Sequence, residues 1–388
     1  MTKKPYIPYG TQSILEDDID AVVDVLKSKF LTQGPVINDF ETTISQYCKS
    51  DFSVACNSST SALHVACLAL GLGPGDWLWT SPITFVASAN CALYCGAKVD
   101  FVDIDPFSYN LCVGALEKKL LEAKKQGKLP KIVVPVHLCG QSCEMEKIKK
   151  LSEIYGFKIL EDASHAVGAR YKKSVVGSCK YSDIAVFSFH PVKIVTTGEG
   201  GMAMTNDKQL AERMSALRSH GITRDDKKMM RVPDGSWYYE QLDLGFNYRM
   251  TDIQAALGLS QLKKLDKFVA RRHILAKRYD EKLKDFPIIT PQVNRDCYSA
   301  FHLYCIRLKC PEKRRVTFEY LRAQNIGVNV HYIPVYRHPY YQRFNFNQNS
   351  FPNAEAFYSS AISIPMYPNL SFDEQDRVIE TLKDALMT

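Results

Sequence analysis

The segment KIVVPVHLCGQSCEMEKIKKLSEIYGFKILED (131–162) holds two apolar runs on either side of a charged stretch. KIVVPV (131–136) is continuously apolar after its lysine, and FKILED (157–162) is apolar up to its closing acids. Runs of this kind suit strands buried on both faces. Between them, EMEKIKKLSEIYG (144–156) spaces its apolar residues as one face of a helix and ends in Gly156, a C-terminal stop. Strand, helix, strand is the unit from which parallel sheets are built.

The same alternation extends in both directions. Upstream, EDDIDAVVDVLKSK (16–29) opens with acids and closes with lysines, which suits a helix dipole. DFSVAC (51–56) reads as a strand, followed by Asn57-Ser58-Ser59-Thr60 and a helical stretch to Leu70. GLGPGD (71–76) is a turn, residues 84–95 read as helix, and AKVDFVDI (97–104) as strand. Downstream, DIAVFSF (183–189) is another buried strand. The pattern predicts an α/β domain with a central, mostly parallel sheet flanked by helices. A long polar helix is expected over 251–285. AFHLYCIRL (300–308), a helix at 312–325, GVNVHY (327–332) and a helix at 372–386 then suggest a smaller α+β unit. The expected division is a large domain over 1–260, including the N-terminal segment, and a small C-terminal domain over 261–388.

Length and composition agree with two domains of a soluble globular protein. The chain has 388 residues, 46% hydrophobic and 23% charged, and a net charge of +7. The basic residues are scattered, so the charge permits anionic ligands without pointing to nucleic acid. The twelve cysteines form no C-x-x-C pair and mostly sit in apolar runs, as in ALHVACLAL (62–70). They are expected to be reduced thiols packed as small hydrophobes, with no metal site, in a cytoplasmic protein. MTKKPYIPYG (1–10) lacks the apolar core of a secretion signal, and no apolar run is long enough to span a membrane.

Three stretches carry chemistry. In DIAVFSFHPVKIVTTGEGG (183–201), Lys193 is the only formally charged side chain between Ile184 and Gly198, His190 aside. Apolar walls disfavour an ammonium, and a lysine with a lowered pKa is a nucleophile suited to Schiff-base chemistry. Asp162 ends a buried strand, where open α/β sheets bind ligands; capping a following turn or helix is the plain alternative. A lysine for an aldehyde and a carboxylate for a ring nitrogen are what pyridoxal phosphate requires. NSSTSALH (57–64) is a strand-to-helix junction rich in hydroxyls, suited either to an anion or to simple capping. Ser188 offers another hydroxyl, and Phe85 in SPITFVASAN (81–90) could stack on a flat ring or serve only as core. GLGPG lacks the G-x-G-x-x-G spacing of a dinucleotide site.

Together, NSSTSAL, SPITFVASAN, EDASHAVGA, FSFHPVKIVTTGEGG, LRSHGI and LGFNYRMTDIQAALG resemble the DegT/StrS sugar aminotransferase family. These are pyridoxal-phosphate enzymes of fold type I, the aspartate aminotransferase fold. SKFLTQGP (28–35), SHA (164–166) and VHYIPVY (330–336) resemble the branch acting in pseudaminic acid synthesis on a UDP-linked 4-keto-6-deoxy-N-acetylhexosamine. By this resemblance Lys193 is the residue joined to the cofactor, and Asp162 partners the pyridine nitrogen. Phe85 stacks on the ring, Ser59, Thr60 and Ser188 hold the phosphate, and Asn247 reaches it from the second subunit of a homodimer. Tyr9, Lys29, Phe30, Leu31, Thr32, Asn329, Val330, His331 and Tyr332 match nucleotide-sugar contacts, although local satisfaction is the plain reading of His331. His165 stands where many relatives have Gln, beside the expected place of the cofactor's ring oxygen. A dehydratase subgroup carries His in place of the lysine, so Lys193 implies transamination, with L-glutamate as the implied donor. Two rival readings remain: another pyridoxal-phosphate enzyme such as a cysteine desulfurase, and a cofactor-binding sensor without turnover. The first would need a cysteine on a mobile loop, and the second an appended DNA-binding module; neither is apparent.

Overall fold

Seven strands form the central sheet of the computed structural model, which describes residues 4–387. In chain order they are β1 (Phe52–Cys56), β2 (Trp77–Thr80), β3 (Lys98–Phe101), β4 (Ile132–Val134), β5 (Lys158–Asp162), β6 (Ile184–Ser188) and β7 (Gly201–Thr205). Across the sheet they run β1-β7-β6-β5-β4-β2-β3. The five from β6 to β3 are mutually parallel, and β7 lies antiparallel to both β6 and β1. The mostly parallel α/β sheet expected from the sequence is present.

Strand periodicity explains why the runs are apolar throughout. Ile132, Val134, Leu160, Ile184 and Val186 face one core, shared with helices Ser59–Ala69, Ala87–Tyr94 and Lys208–Leu217. Their neighbours Val133 and Ile159 face a core with helices Val113–Gln126 and Met145–Tyr155. Ala185 and Phe187 face a third, with helices Pro35–Cys48 and Asp252–Leu262. Both faces are covered, so the inner strand positions are mostly apolar, and the buried Glu161 of β5 is held by His137 and Ser182.

The C-terminal unit has its own three-stranded antiparallel sheet, ordered Ile288–Ile289, Tyr304–Leu308, Ala361–Ile364. Helix Phe372–Met387 contributes Val378 and Leu382 to its core. Ile7 is fully buried in this core and bridges to Ile326, so the N-terminal segment packs with the C-terminal unit.

Three expectations from the sequence differ from the structure. The helix expected over 251–285 is two helices, Asp252–Leu262 and Leu265–Leu283. No Gly or Pro marks the break. It seats the Lys264 ammonium 2.7 Å from the carboxylates of Asp17 and Asp18, contacts between segments far apart in sequence. GVNVHY (327–332) is not a regular strand: only Asn329 bridges to Ser363, and His331 and Tyr332 then line the same cavity as Asp162 at the end of β5. Around the central sheet, strands β2 and β7 and helices Pro35–Cys48, Val113–Gln126 and Lys208–Leu217 went unread in the sequence.

The cysteines pack as expected. All twelve are free, and eight are buried. Among the described residues, no helix is long and apolar enough to cross a membrane.

Candidate active site

Asp162 closes β5 and is buried. Its Oδ1 accepts the N–H of Ser164 at 3.1 Å and its Oδ2 accepts the hydroxyl of Ser88 at 2.5 Å. The chain after it makes a turn, not a helix, and the Ser164 bond caps that turn, as the plain alternative allowed. No cation lies within 4 Å of the Asp162 carboxylate among the described residues, and each oxygen keeps a lone-pair direction for an outside donor.

Lys193 follows β6 on a turn closed by its N–H to His190 carbonyl bond of 2.8 Å. It is half-buried and opens onto a cavity of about 850 Å³. Desolvation pushes its ammonium down to about 8, partly opposed by the charge of Asp162. Because only the neutral amine attacks an aldehyde, cofactor uptake by the cofactor-free protein is expected to accelerate with pH and level off above about pH 8. Stopped-flow absorbance across pH measures this. A midpoint near the ordinary lysine value of about 10 would contradict it.

The same cavity is lined by Ser59, Thr60, Phe85, Asp162, His165 and Ser188. Ser58 caps helix Ser59–Ala69 by accepting the N–H of Ser61 at 3.1 Å. The N–H groups of Ser59 and Thr60 precede the first intrahelical bond and remain available to an anion. Gly201 makes this cradle close: a Cβ there would stand 2.4 Å from the Ser59 nitrogen and 2.6 Å from the Ser58 oxygen. Gly201→Ala is therefore expected to weaken pyridoxal phosphate binding by ~10–100-fold, from an overpacking cost of about 1–3 kcal/mol. Fluorescence titration with pyridoxal phosphate measures the loss.

Phe85 is 57% exposed, an apolar ring facing the cavity with little covering it. An uncompensated carboxylate, a lysine with a weakened charge, a helix start with free N–H groups and an open aromatic face fit the ring, aldehyde and phosphate of pyridoxal phosphate.

The opposite wall comes from the C-terminal unit and the N-terminal segment. Tyr9, Asn329, Val330, His331 and Tyr332 all line the cavity. His331 Nδ1 lies 2.8 Å from the Ser363 hydroxyl and its Nε2 3.4 Å from the Asn329 amide, so it is locally satisfied as well as cavity-facing. Burial and the nearby Lys193 charge push it down to about 3 and hold His165 and His302 well below the ordinary histidine value. All three are neutral near pH 7.

Two groups of predicted residues stay outside the cavity of their own chain. Lys29, Phe30, Leu31 and Thr32 are exposed, and Thr32 bridges to Thr251. Asn247 is exposed on a strand-like segment bridged to Ser219. Conversely, Ser88 and His302 were not among the residues chosen from the sequence. Ser88 is the buried donor to Asp162. His302 lines the cavity with its ring 4.4 Å from that of His165, and its Nδ1 is without a partner among the described residues. A histidine inside the apolar run AFHLYCIRL was the available signal.

Comparison with known proteins gives a consistent result. The profile of the DegT/DnrJ/EryC1/StrS aminotransferase family matches residues 12–383. Spore coat polysaccharide biosynthesis protein SpsC of Bacillus subtilis is 39% identical, across 98% of this chain and 97% of that protein. The UDP-4-amino-4,6-dideoxy-N-acetyl-beta-L-altrosamine transaminase of Campylobacter jejuni is 37% identical, across 98% of this chain and 97% of its own. Among solved structures, Helicobacter pylori PseC, an aminotransferase of pseudaminic acid biosynthesis, superposes with a TM-score of 0.90 at 33% identity, covering 98% of this chain and 99% of its own. The pyridoxal-phosphate form of the Streptococcus pneumoniae sugar aminotransferase Spr1654 gives 0.89 at 30%, with 98% and 99% covered. The chain belongs to the DegT/DnrJ/EryC1/StrS aminotransferase family, as a transaminase that uses pyridoxal phosphate.

Proposed function

We propose that the protein transfers an amino group from L-glutamate to the C4 keto group of a UDP-linked 4-keto-6-deoxy-N-acetylhexosamine. The observation that carries this reading is the single cavity joining Lys193 and Asp162 to the wall of Tyr9, Asn329, His331 and Tyr332. One side suits a cofactor, and the other leaves room for a sugar. The Campylobacter and Helicobacter relatives support the sugar class.

Bound pyridoxal phosphate supplies an aldehyde that receives the amino group and a ring that spreads the electron pair left when a proton departs. The chain supplies the rest. Asp162 holds the ring nitrogen protonated, Phe85 covers one ring face, and Ser59, Thr60 and Ser188 take the phosphate. Lys193 anchors the aldehyde carbon. Once displaced by the donor, its amine takes the proton from glutamate Cα and returns it to the carbon that the lysine had held. Water would then break the bond between the donor's carbon and its nitrogen, so that 2-oxoglutarate leaves with the water's oxygen; the keto sugar gives that water back in the second half. With the keto sugar in place, Lys193 moves the proton in the reverse direction and the amine ends on the sugar.

The active form in this reading is a homodimer with shared sites. Asn247 and residues 29–32 lie on the surface, and exposed apolar side chains occur within or near these segments, Phe30 at 54% and Leu244 at 76% exposure. Such a surface suits a second copy of the chain. Mixing inactive Lys193→Ala and Asn247→Asp protomers after unfolding and refolding is expected to restore roughly a quarter of wild-type activity, because each mixed dimer regains one intact site. No recovery in demonstrably mixed dimers would contradict shared sites.

The substrate is tested with a panel of UDP- and dTDP-keto sugars and glutamate, read by mass spectrometry. Amination of the UDP 4-keto sugar is expected. Reaction only with dTDP sugars would overturn the substrate assignment and favour another nucleotide-sugar pathway.

A further inference from the structure

His165 stands beside the expected cofactor ring, yet both of its nitrogens are already engaged by the protein. Nδ1 receives the backbone N–H of Cys139 at 3.3 Å. A backbone N–H can only donate, so Nδ1 must be the bare nitrogen. Burial keeps the imidazole neutral, with a single proton. That proton therefore sits on Nε2, which lies 3.1 Å from the Tyr332 hydroxyl. Tyr332 oxygen accepts it, and the hydroxyl's own proton must point elsewhere. No other described residue bonds to this hydroxyl, which belongs to the cavity wall shared with Lys193. Burial also raises the Tyr332 phenol above its ordinary value, so the proton stays in place.

We propose that Tyr332 is the hydrogen-bond donor to the ring oxygen of pyridoxal phosphate, and that His165 is a positioning residue that turns this hydroxyl toward it. Three anchors fix the ring: Asp162 at its nitrogen, Lys193 at the aldehyde carbon, and the helix start at the phosphate arm. The ring oxygen flanks the aldehyde carbon on the side away from that arm. The His165–Tyr332 pair is a polar part of the wall that serves none of these anchors, and its hydroxyl keeps a proton free for an outside acceptor. Phe85 and Tyr332 have ring centroids 6.2 Å apart, so the hydroxyl and the stacking face border the same space. The geometry gives Tyr332 a role in cofactor electronics, instead of the sugar contact expected from the sequence.

The inference rests on the cofactor site proposed above, and its test separates the two. A donor at the ring oxygen favours its deprotonated form. Removing it should raise the pH midpoint at which the bound cofactor's visible absorption changes. Tyr332→Phe keeps the ring packing and is expected to shift that midpoint upward by about one to two pH units. His165→Ala should shift it in the same direction by less. The double variant should match Tyr332→Phe alone, because His165 acts through Tyr332. An unmoved midpoint in Tyr332→Phe overturns the proposal, including the case in which only the KM for the sugar rises. Additive shifts in the double variant overturn the role given to His165. If Tyr332→Phe fails to retain cofactor, the His165→Ala shift decides, and an unmoved midpoint there is a refutation. Failure of the underlying site would look different: wild type would lack a cofactor band that depends on Lys193.

Discussion

Lys193→Ala is expected to lower turnover of the keto sugar by about 10⁴-fold or more. Two functions disappear together. The cofactor loses its anchor, and no remaining base replaces the amine that moves the proton. Of the histidines that share the cavity, His165 and His331 already have partners at both ring nitrogens. Added pyridoxal phosphate should therefore not rescue the variant. Borohydride reduction of the wild-type holoenzyme, followed by peptide mass mapping, should place the cofactor on the peptide that contains Lys193. Substantial turnover by the variant, or labelling of a different lysine, would contradict the assignment.

Asp162→Asn is expected to lower kcat by about 10²–10⁴-fold with cofactor saturating. That range corresponds to losing one partner of a buried charged pair, about 3–5 kcal/mol. The substitution keeps the side chain's shape and its setting between Ser88 and Ser164, but removes the charge that keeps the ring nitrogen protonated. The effect belongs to chemistry, not folding. No cation lies within salt-bridge distance of Asp162 among the described residues, so the cofactor-free variant should melt no lower than wild type. Steady-state kinetics and a thermal melt separate the two. A kcat within tenfold of wild type would remove Asp162 from its role.

The pair at the centre of both predictions was legible because its surroundings are so plain. Lys193 lies just past the apolar strand β6, and Asp162 ends a strand whose centre, Ile159 and Leu160, is apolar because both sheet faces are covered. Ser88 and His302 were not legible, because only folding brings them to the cavity. Ser88 is 74 positions from its partner Asp162. His302 arrives on the strand edge of the C-terminal unit. The helix break at Lys263–Lys264 has no Gly or Pro to announce it, because distant carboxylates from residues 17 and 18 fix it. β7 went unread because it starts within the glycine-rich GEGG (198–201), whose last glycine already begins the strand. GVNVHY had strand periodicity, but the backbone leaves the sheet after Asn329, and that departure puts His331 and Tyr332 on the cavity wall.

The most direct measurement follows nitrogen. Wild-type protein, pyridoxal phosphate, the UDP-4-keto-6-deoxy-N-acetylhexosamine and ¹⁵N-labelled L-glutamate are incubated together, and the sugar product is weighed by mass spectrometry. The account predicts a UDP-amino sugar carrying the ¹⁵N label, 2-oxoglutarate in equal amount, and neither product with Lys193→Ala. An unlabelled sugar product, or release of labelled ammonia with the keto sugar unchanged, would contradict it.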